Sequence, residues 1–218
     1  MTTRAVILDL DGLLVDSEPI HQRAFNTYLA RHGVEYQFAE EEYGRAFVGI
    51  PVGANAEYLI ERFALPYTAV ELLAEREAIY TALIGDPCNL RRMPGVSRLL
   101  DELRARKIGA GIASGSPREQ VEIILRGLGI AERFPVVVAG TDVPKTKPAP
   151  DVYLRAMELL GVSKSDCFAV EDSATGVAAA KAAGLRVIAV PNRYTQQQDL
   201  SRADAQVKSL EHVIPLLG

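Results

Sequence analysis

Short apolar runs that end abruptly in small or polar residues recur along this 218-residue chain. The first, Ala5-Val6-Ile7-Leu8-Asp9-Leu10-Asp11-Gly12, is short, contains β-branched residues and is bounded by a glycine. That pattern predicts a buried strand emerging at its carboxyl end. Three more runs have the same form. Residues 107–113 lead into Ser114-Gly115-Ser116-Pro117, residues 135–139 into Gly140-Thr141-Asp142, and Cys167-Phe168-Ala169-Val170 into Glu171-Asp172-Ser173. From Gly95 onward the periodicity alternates. Helices near 96–106, 117–127, 149–160 and 174–183 flank strands near 109–113, 135–139, 167–171 and 186–190, which predicts parallel βαβ units and an α/β fold class.

Between residues 16 and 84 the pattern is helical only. Ile20, Ala24 and Tyr28, with Phe25 and Leu29, fall on one stripe, and a second stripe runs through Leu59, Ile60 and Phe63. A third helix is expected from Ala69 to Leu83. Asp16-Ser17-Glu18-Pro19 offers an N-cap, an acid and a proline at a helix start. Residues 16–84 therefore read as an all-helical cap domain inserted after the first strand, with residues 1–15 and 85–218 forming an α/β core domain.

The strand ends also carry the candidate chemistry. Open α/β sheets bind ligands beyond the carboxyl ends of their strands, and positions i and i+2 of a strand share a face. Asp9 and Asp11 thus arrive together, and two carboxylates at one spot repel unless a cation or a proton compensates them. A hard cation with oxygen ligands, Mg²⁺ for preference, is implied. Taken alone, the pair fits helix capping or turn formation as well. The other strand ends shift that balance by adding hydroxyls, a lysine and three more acids, an inventory suited to a metal and a phosphate.

This ordered set resembles the haloacid dehalogenase (HAD) superfamily of phosphotransferases. The matching pieces are Asp9-Leu10-Asp11-Gly12, Ser114-Gly115-Ser116, Lys147-Pro148 and Glu171-Asp172-Ser173-Ala174-Thr175-Gly176. The stretch Lys147-Pro148-Ala149-Pro150-Asp151 and residues 176–184 look like the branch that contains β-phosphoglucomutase and small sugar-phosphate phosphatases. The likeness covers essentially the whole chain, with the motifs in order. It implies a Rossmann-like parallel sheet core closed over by a small helical cap.

The resemblance also implies roles. Asp9 matches the nucleophile that forms an aspartyl-phosphate, and Asp11 the general acid that protonates the leaving oxygen and then activates water. Mg²⁺ would be held by Asp9, the main-chain carbonyl of Asp11, and Asp172, with Glu171 close or water-bridged. Ser114, the Gly115 amide and Lys147 match the phosphate-binding groups. Simpler readings stand beside these: Ser114 as an N-cap ahead of Pro117, Lys147 as a solvated loop cation, and Glu171-Asp172-Ser173 as the cap of a helix from Ala174. Glu18 and His21, near the start of the first helix, receive no catalytic role. The expected activity is hydrolysis of small phosphorylated metabolites, sugar or polyol monophosphates. Mutases of this branch use a cationic cap side chain after a glycine; here Phe47-Val48-Gly49-Ile50-Pro51-Val52-Gly53 has no Lys or Arg through Asn55. A sugar phosphomutase is therefore the alternative, with Arg45 or Arg76 as the missing cation, and a catalytically silent binding protein on the same scaffold is the non-enzyme alternative.

Composition narrows the rest. With 24 Lys and Arg against 28 Asp and Glu the net charge is −4, which argues against a nucleic-acid partner. No apolar run approaches the roughly 20 residues that span a bilayer, and no secretory signal is visible, so no membrane partner and a cytoplasmic location are expected. The expected ligand is a small phosphorylated molecule, bound by a monomer or weak homo-oligomer. Cys88 and Cys167 are distant in sequence, and a reduced pair is expected, with Cys167 a small buried hydrophobe.

Overall fold

The computed structural model describes residues 4–50 and 52–217. Its strands are β1 (Ala5–Leu8), β2 (Gly109–Ala113), β3 (Val136–Val138), β4 (Cys167–Glu171), β5 (Arg186–Ala189) and β6 (Ala205–Gln206). They form one sheet in the order β3-β2-β1-β4-β5-β6, with every pairing parallel. β1 lies inside the sheet, with Leu8 opposite Ile112 of β2 and Val170 of β4.

Both faces are covered, which is why the strand sequences are continuously apolar rather than alternating with polar residues. The period of two instead divides the side chains of each strand between two cores. Val6 and Leu8 join Ile112, Phe168, Val170 and Ile188 on one face, while Ala5 and Ile7 join Cys167, Ala169, Val187 and Ala189 on the other. Full burial of a side chain such as Ile7 or Leu8 contributes about 1.5–3 kcal/mol.

The helices are α1 (Glu18–Arg31), α2 (Glu40–Ala46), α3 (Val52–Phe63), α4 (Ala69–Ile84), α5 (Val96–Ala105), α6 (Arg118–Gly127), α7 (Asp151–Leu160) and α8 (Ala174–Ala182). α7 and α8 cover the face of Ala5 and Ile7 with Tyr153, Ala156, Val177 and Ala180. α5 and α6 cover the other face through Leu99, Leu103, Val121 and Ile124, in a core that continues without a break into Phe25, Tyr28, Leu59 and Leu72 of α1, α3 and α4.

Between β1 and β2 the expectation of three helices in residues 16–84 becomes four. α2 was not foreseen: it has seven residues and one buried side chain, Tyr43, too few to make a stripe. α4 starts with a capping box in which the Thr68 hydroxyl accepts from the Glu71 amide at 3.3 Å and Glu71 accepts from the Thr68 amide at 2.8 Å. Ser17 does stand at the N-cap of α1, but its hydroxyl makes no capping bond and is buried without a partner. Both cysteines are free, Cys167 buried and Cys88 exposed. Among the described residues, no helix is long and apolar enough to cross a membrane.

Candidate active site

The strand ends of β1, β2 and β4 and the loop that follows β3 meet at one place. Asp9 follows β1 directly, and its amide still donates to Val170 O at 3.1 Å, so the sheet ladder sets the height of its side chain. Lys147 reaches in from the loop after β3. Its ammonium donates to Asp9 Oδ1 at 2.7 Å and to Glu171 Oε1 at 2.5 Å. Tyr153 of α7 donates to the same Glu171 oxygen. Asp9, Glu171 and Asp172 are all buried, and each offers an oxygen within 4.8 Å of the others.

Asp11 goes elsewhere. Its Oδ2 accepts from Ser116 Oγ at 2.7 Å, with Ser114 Oγ at 3.5 Å, while its Oδ1 is buried with no partner. Ser114 Oγ accepts from the Ser116 amide at 3.0 Å, which folds the β2 exit loop around the Asp11 carboxylate. The N-cap of α6 is Pro117, so Ser114 does not serve as that cap. Ser173 does cap α8, with Oγ accepting from Gly176 N at 3.2 Å, and leaves Glu171 and Asp172 to face the site.

This arrangement separates the acids electrostatically. Burial raises the Asp11 carboxyl above its ordinary range, with repulsion from Asp9 adding to the rise and the Ser116 hydroxyl opposing it. Burial, then Asp9, then Glu171 raise Asp172 well above the carboxylate range. Glu171 rises for the same reasons, burial first, against the pull of Lys147. Burial opposes the charge on Lys147, but Asp9 and Glu171 outweigh it and raise the ammonium. Three carboxylates thus share one bonded cation among the described residues. That imbalance, with all the donors being hard oxygens, fits a divalent metal ion.

Over the acids lies a hollow of about 310 Å³ lined by Asp9, Asp11, Lys147 and Asp172. It shares Glu18, Gly115 and Ser116 with a larger cavity of about 1010 Å³ beneath α1, α3 and α4. Glu18, His21, Tyr43, Asn55 and Arg76 are among the polar side chains that line that cavity. Tyr43 donates to Glu18 Oε2 at 2.8 Å, and burial pushes the Glu18 carboxyl up to about 7. Arg76 is buried between Phe25 and Tyr80 with its Nε unpartnered, and it donates to His21 Nδ1 at 2.5 Å. His21 stacks on Tyr80 at 3.9 Å, and burial holds its imidazole well below its ordinary range, followed by the Arg76 charge. Arg45 lies off this cavity, exposed and 3.8 Å from Glu41. Of the stretch from Gly49 to Asn55, Pro51 lies outside the described residues.

A family description, haloacid dehalogenase-like hydrolase, matches residues 6–190. The chain belongs to this family. Protein CbbY of Rhodobacter capsulatus is 34% identical over 217 residues, covering 96% of this chain and 95% of that protein. A probable pseudouridine-5'-phosphatase of Drosophila melanogaster is 32% identical, covering 96% and 90%. Among solved structures, a mutant CbbY from Rhodobacter sphaeroides in complex with xylulose-(1,5)bisphosphate superposes with a TM-score of 0.79 at 30% identity, covering 96% of this chain and 95% of the other. Membership bears out the expected Rossmann-like α/β fold and the expectation of a phosphoric monoester hydrolase.

Sequence reasoning passed over Tyr153, Asn192 and the Tyr43–Glu18 pair. Tyr153 belongs to an apolar stripe with Val152, Ala156 and Met157 and so reads as core. Asn192, which donates to Asp172 Oδ2 at 2.8 Å, stands just past β5, where the strand-end rule would have found it.

Proposed function

We propose that this hydrolase is a Mg²⁺-dependent phosphatase of small phosphorylated metabolites, sugar or polyol monophosphates, and that it works through an aspartyl-phosphate on Asp9. Residues 16–84 act as a cap domain over a core of residues 1–15 and 85–218. The observation that carries this reading is the divergence of Asp9 and Asp11. Two carboxylates two residues apart stand in different surroundings, one bonded to the Lys147 ammonium, the other desolvated beneath Ser116 with its carboxyl raised above the ordinary range.

Each residue then has a task. An Asp9 oxygen attacks phosphorus in line as the bond to the leaving oxygen breaks, and Asp11 gives that oxygen its proton. Asp11, now ionised, takes a proton from water, whose oxygen attacks the same phosphorus and releases inorganic phosphate from Asp9. Ser114, the Gly115 amide and Lys147 bind the phosphoryl oxygens. The metal would be held by Asp9, Asp172, the Asp11 main-chain carbonyl and Glu171, the last already tied to Lys147 and Tyr153. When bound, it supplies neutralising charge to the nucleophile and the phosphate. Glu18, Tyr43 and Asn55 are placed to meet hydroxyls of the leaving group.

A second reading, a sugar phosphomutase, is favoured by Arg76, a buried cation in the cavity wall that a distal phosphate would need. Against it, the guanidinium is already engaged by His21 and Glu77. Incubation with β-glucose 1-phosphate and a trace of the 1,6-bisphosphate separates the two: glucose and inorganic phosphate support hydrolysis, and glucose 6-phosphate as the main product supports the mutase. The broader test is phosphate release from a panel of sugar, polyol and nucleotide monophosphates with Mg²⁺. Turnover should stop in EDTA and in Asp9→Asn, which should also fail to trap BeF₃⁻. Robust turnover without metal would sink the Mg²⁺ assignment, and BeF₃⁻ trapping by Asp9→Asn would sink the nucleophile.

A further inference from the structure

The loop that leaves β5 approaches the acidic cluster from a side that none of the roles above uses. Asn192 stands in it with its side-chain amide fully engaged. Nδ2 donates to Asp172 Oδ2 at 2.8 Å and to the Gly12 carbonyl at 3.0 Å. Oδ1 accepts from the amides of Tyr194 at 2.8 Å and Thr195 at 3.2 Å. Two donors and two acceptances exhaust what an amide can do, and they fix which way it points. Reversed, it would aim an oxygen at a carboxylate and at a carbonyl.

The bond is braced on both sides. Gly12 sits at φ +76°, and a Cβ there would stand 2.5 Å from Asp172 Oδ2 and 2.8 Å from Asn192 Nδ2, so the turn that carries Asp11 packs directly onto it. On the far side the loop is anchored to α2, where Glu40 Oε1 accepts from Arg193 Nε at 2.6 Å and from the Tyr194 hydroxyl at 3.0 Å. Gln198 Oε1 accepts from the Ala174 amide at 2.8 Å, which ties the loop to the start of α8.

We propose that Asn192 is a positioning residue for the metal site. It holds Asp172 by one carboxylate oxygen, leaving the other free, and locks the same carboxylate to the Asp11–Gly12 turn. A carboxylate held in this way has lost its rotational freedom before a cation arrives, and partners of metal ligands commonly govern affinity for that reason. The inference rests on reading Asp172 as a metal ligand.

The test is calorimetric titration of MgCl₂ into the metal-stripped protein, with Asn192→Ala and Asn192→Ser beside wild type. Serine keeps an acceptor for the turn amides but is too short to reach Asp172, so it isolates the donated bond if the alanine variant fails to fold. Mg²⁺ binding should weaken roughly 10–100-fold. The Mg²⁺ concentration for half-maximal turnover should rise in step, while kcat and the substrate KM at saturating Mg²⁺ stay close to wild type. Lower kcat or a lower melting temperature with unchanged Mg²⁺ affinity would mean a merely structural asparagine and overturns the proposal alone. Wild-type protein that binds no Mg²⁺ overturns it together with the metal reading.

Discussion

Neutralising Asp172 should make the metal-free protein more stable even as it removes a proposed metal ligand. Asp172 lies within 4.8 Å of oxygens of both Asp9 and Glu171. A like-charge contact at that range costs about 3–4 kcal/mol at an effective dielectric near 20. Lys147 bonds the other two acids and offsets only part of this. Asp172→Asn keeps the shape and still presents an oxygen to the Asn192 amide, so the substitution removes charge and little else. The pH dependence follows from the direction of the shift. The folded-state carboxyl is raised above its ordinary value of 3.8, so above about pH 4 the unfolded chain sheds a proton that the folded chain retains. Stability of the wild type must then fall with rising pH, by about 1.4 kcal/mol per unit, until the folded value is passed. The asparagine variant lacks this loss. Its advantage should be near zero below pH 4 and grow with rising pH until the folded carboxyl ionises, reaching roughly 3 kcal/mol from the like-charge contact, which is a gain of about 6–12 °C in melting temperature for a chain of this size. Thermal unfolding in EDTA across pH 4–8 measures it. Saturating Mg²⁺ at a hundredfold excess over Kd should return about 2.7 kcal/mol to the wild type and nothing to the variant. A variant that melts at or below the wild-type temperature at pH 7 in EDTA, or whose advantage does not change with pH, refutes the electrostatic account.

Two further substitutions test the surroundings of the acids. Asp11→Asn should bind substrate normally but slow turnover by roughly 10²–10⁴-fold, because it removes the proposed general acid and base and leaves Asp9 in place; unchanged kcat would remove Asp11 from that role. Gly176→Ala would put a methyl group 2.0 Å from the Glu171 carboxylate at the start of α8, a side chain that is fully buried and held by Lys147 and Tyr153, and should cost about 1–3 kcal/mol of stability by denaturant titration; a variant as stable as wild type would show that α8 or the Glu171 side chain can move away.

The α/β framework was legible because its strands are buried on both faces and announce themselves as unbroken apolar runs, each closed by small or charged residues. The same punctuation brought Asp9, Ser114 and Glu171 to one point. Elements without that signature escaped. β6 has two residues and no apolar run, and α2 rests on Tyr43 alone. Ser17 shows where local chemistry misleads: it has the residue type and position of an N-cap, yet its hydroxyl makes no bond to α1. Arg45 and Arg76 are alike as letters, and only the packing of α4 against α1 decides that one lines the cavity while the other stays in solvent. Tyr153 was hidden because its bond to Glu171, 18 residues away on another element, does not show in an apolar helical stripe, whereas Asn192 stood at a strand end that the same punctuation reaches.

β1 comes first among the strands yet sits inside the sheet, hydrogen-bonded to strands that begin at residues 109 and 167. Closing such distant contacts is entropically slow, and contacts of this span retard folding. During synthesis, Asp9 leaves the ribosome long before Lys147 or Glu171 exists to meet it, and β1 must wait as an apolar segment with both edges unpaired. The carboxylate cluster therefore assembles as a late event, and its completion coincides with closure of the sheet. A nascent or truncated chain ending before β4 would expose β1 as a template for intermolecular pairing, so the strand that delivers Asp9 is also the one most in need of protection until the chain is finished.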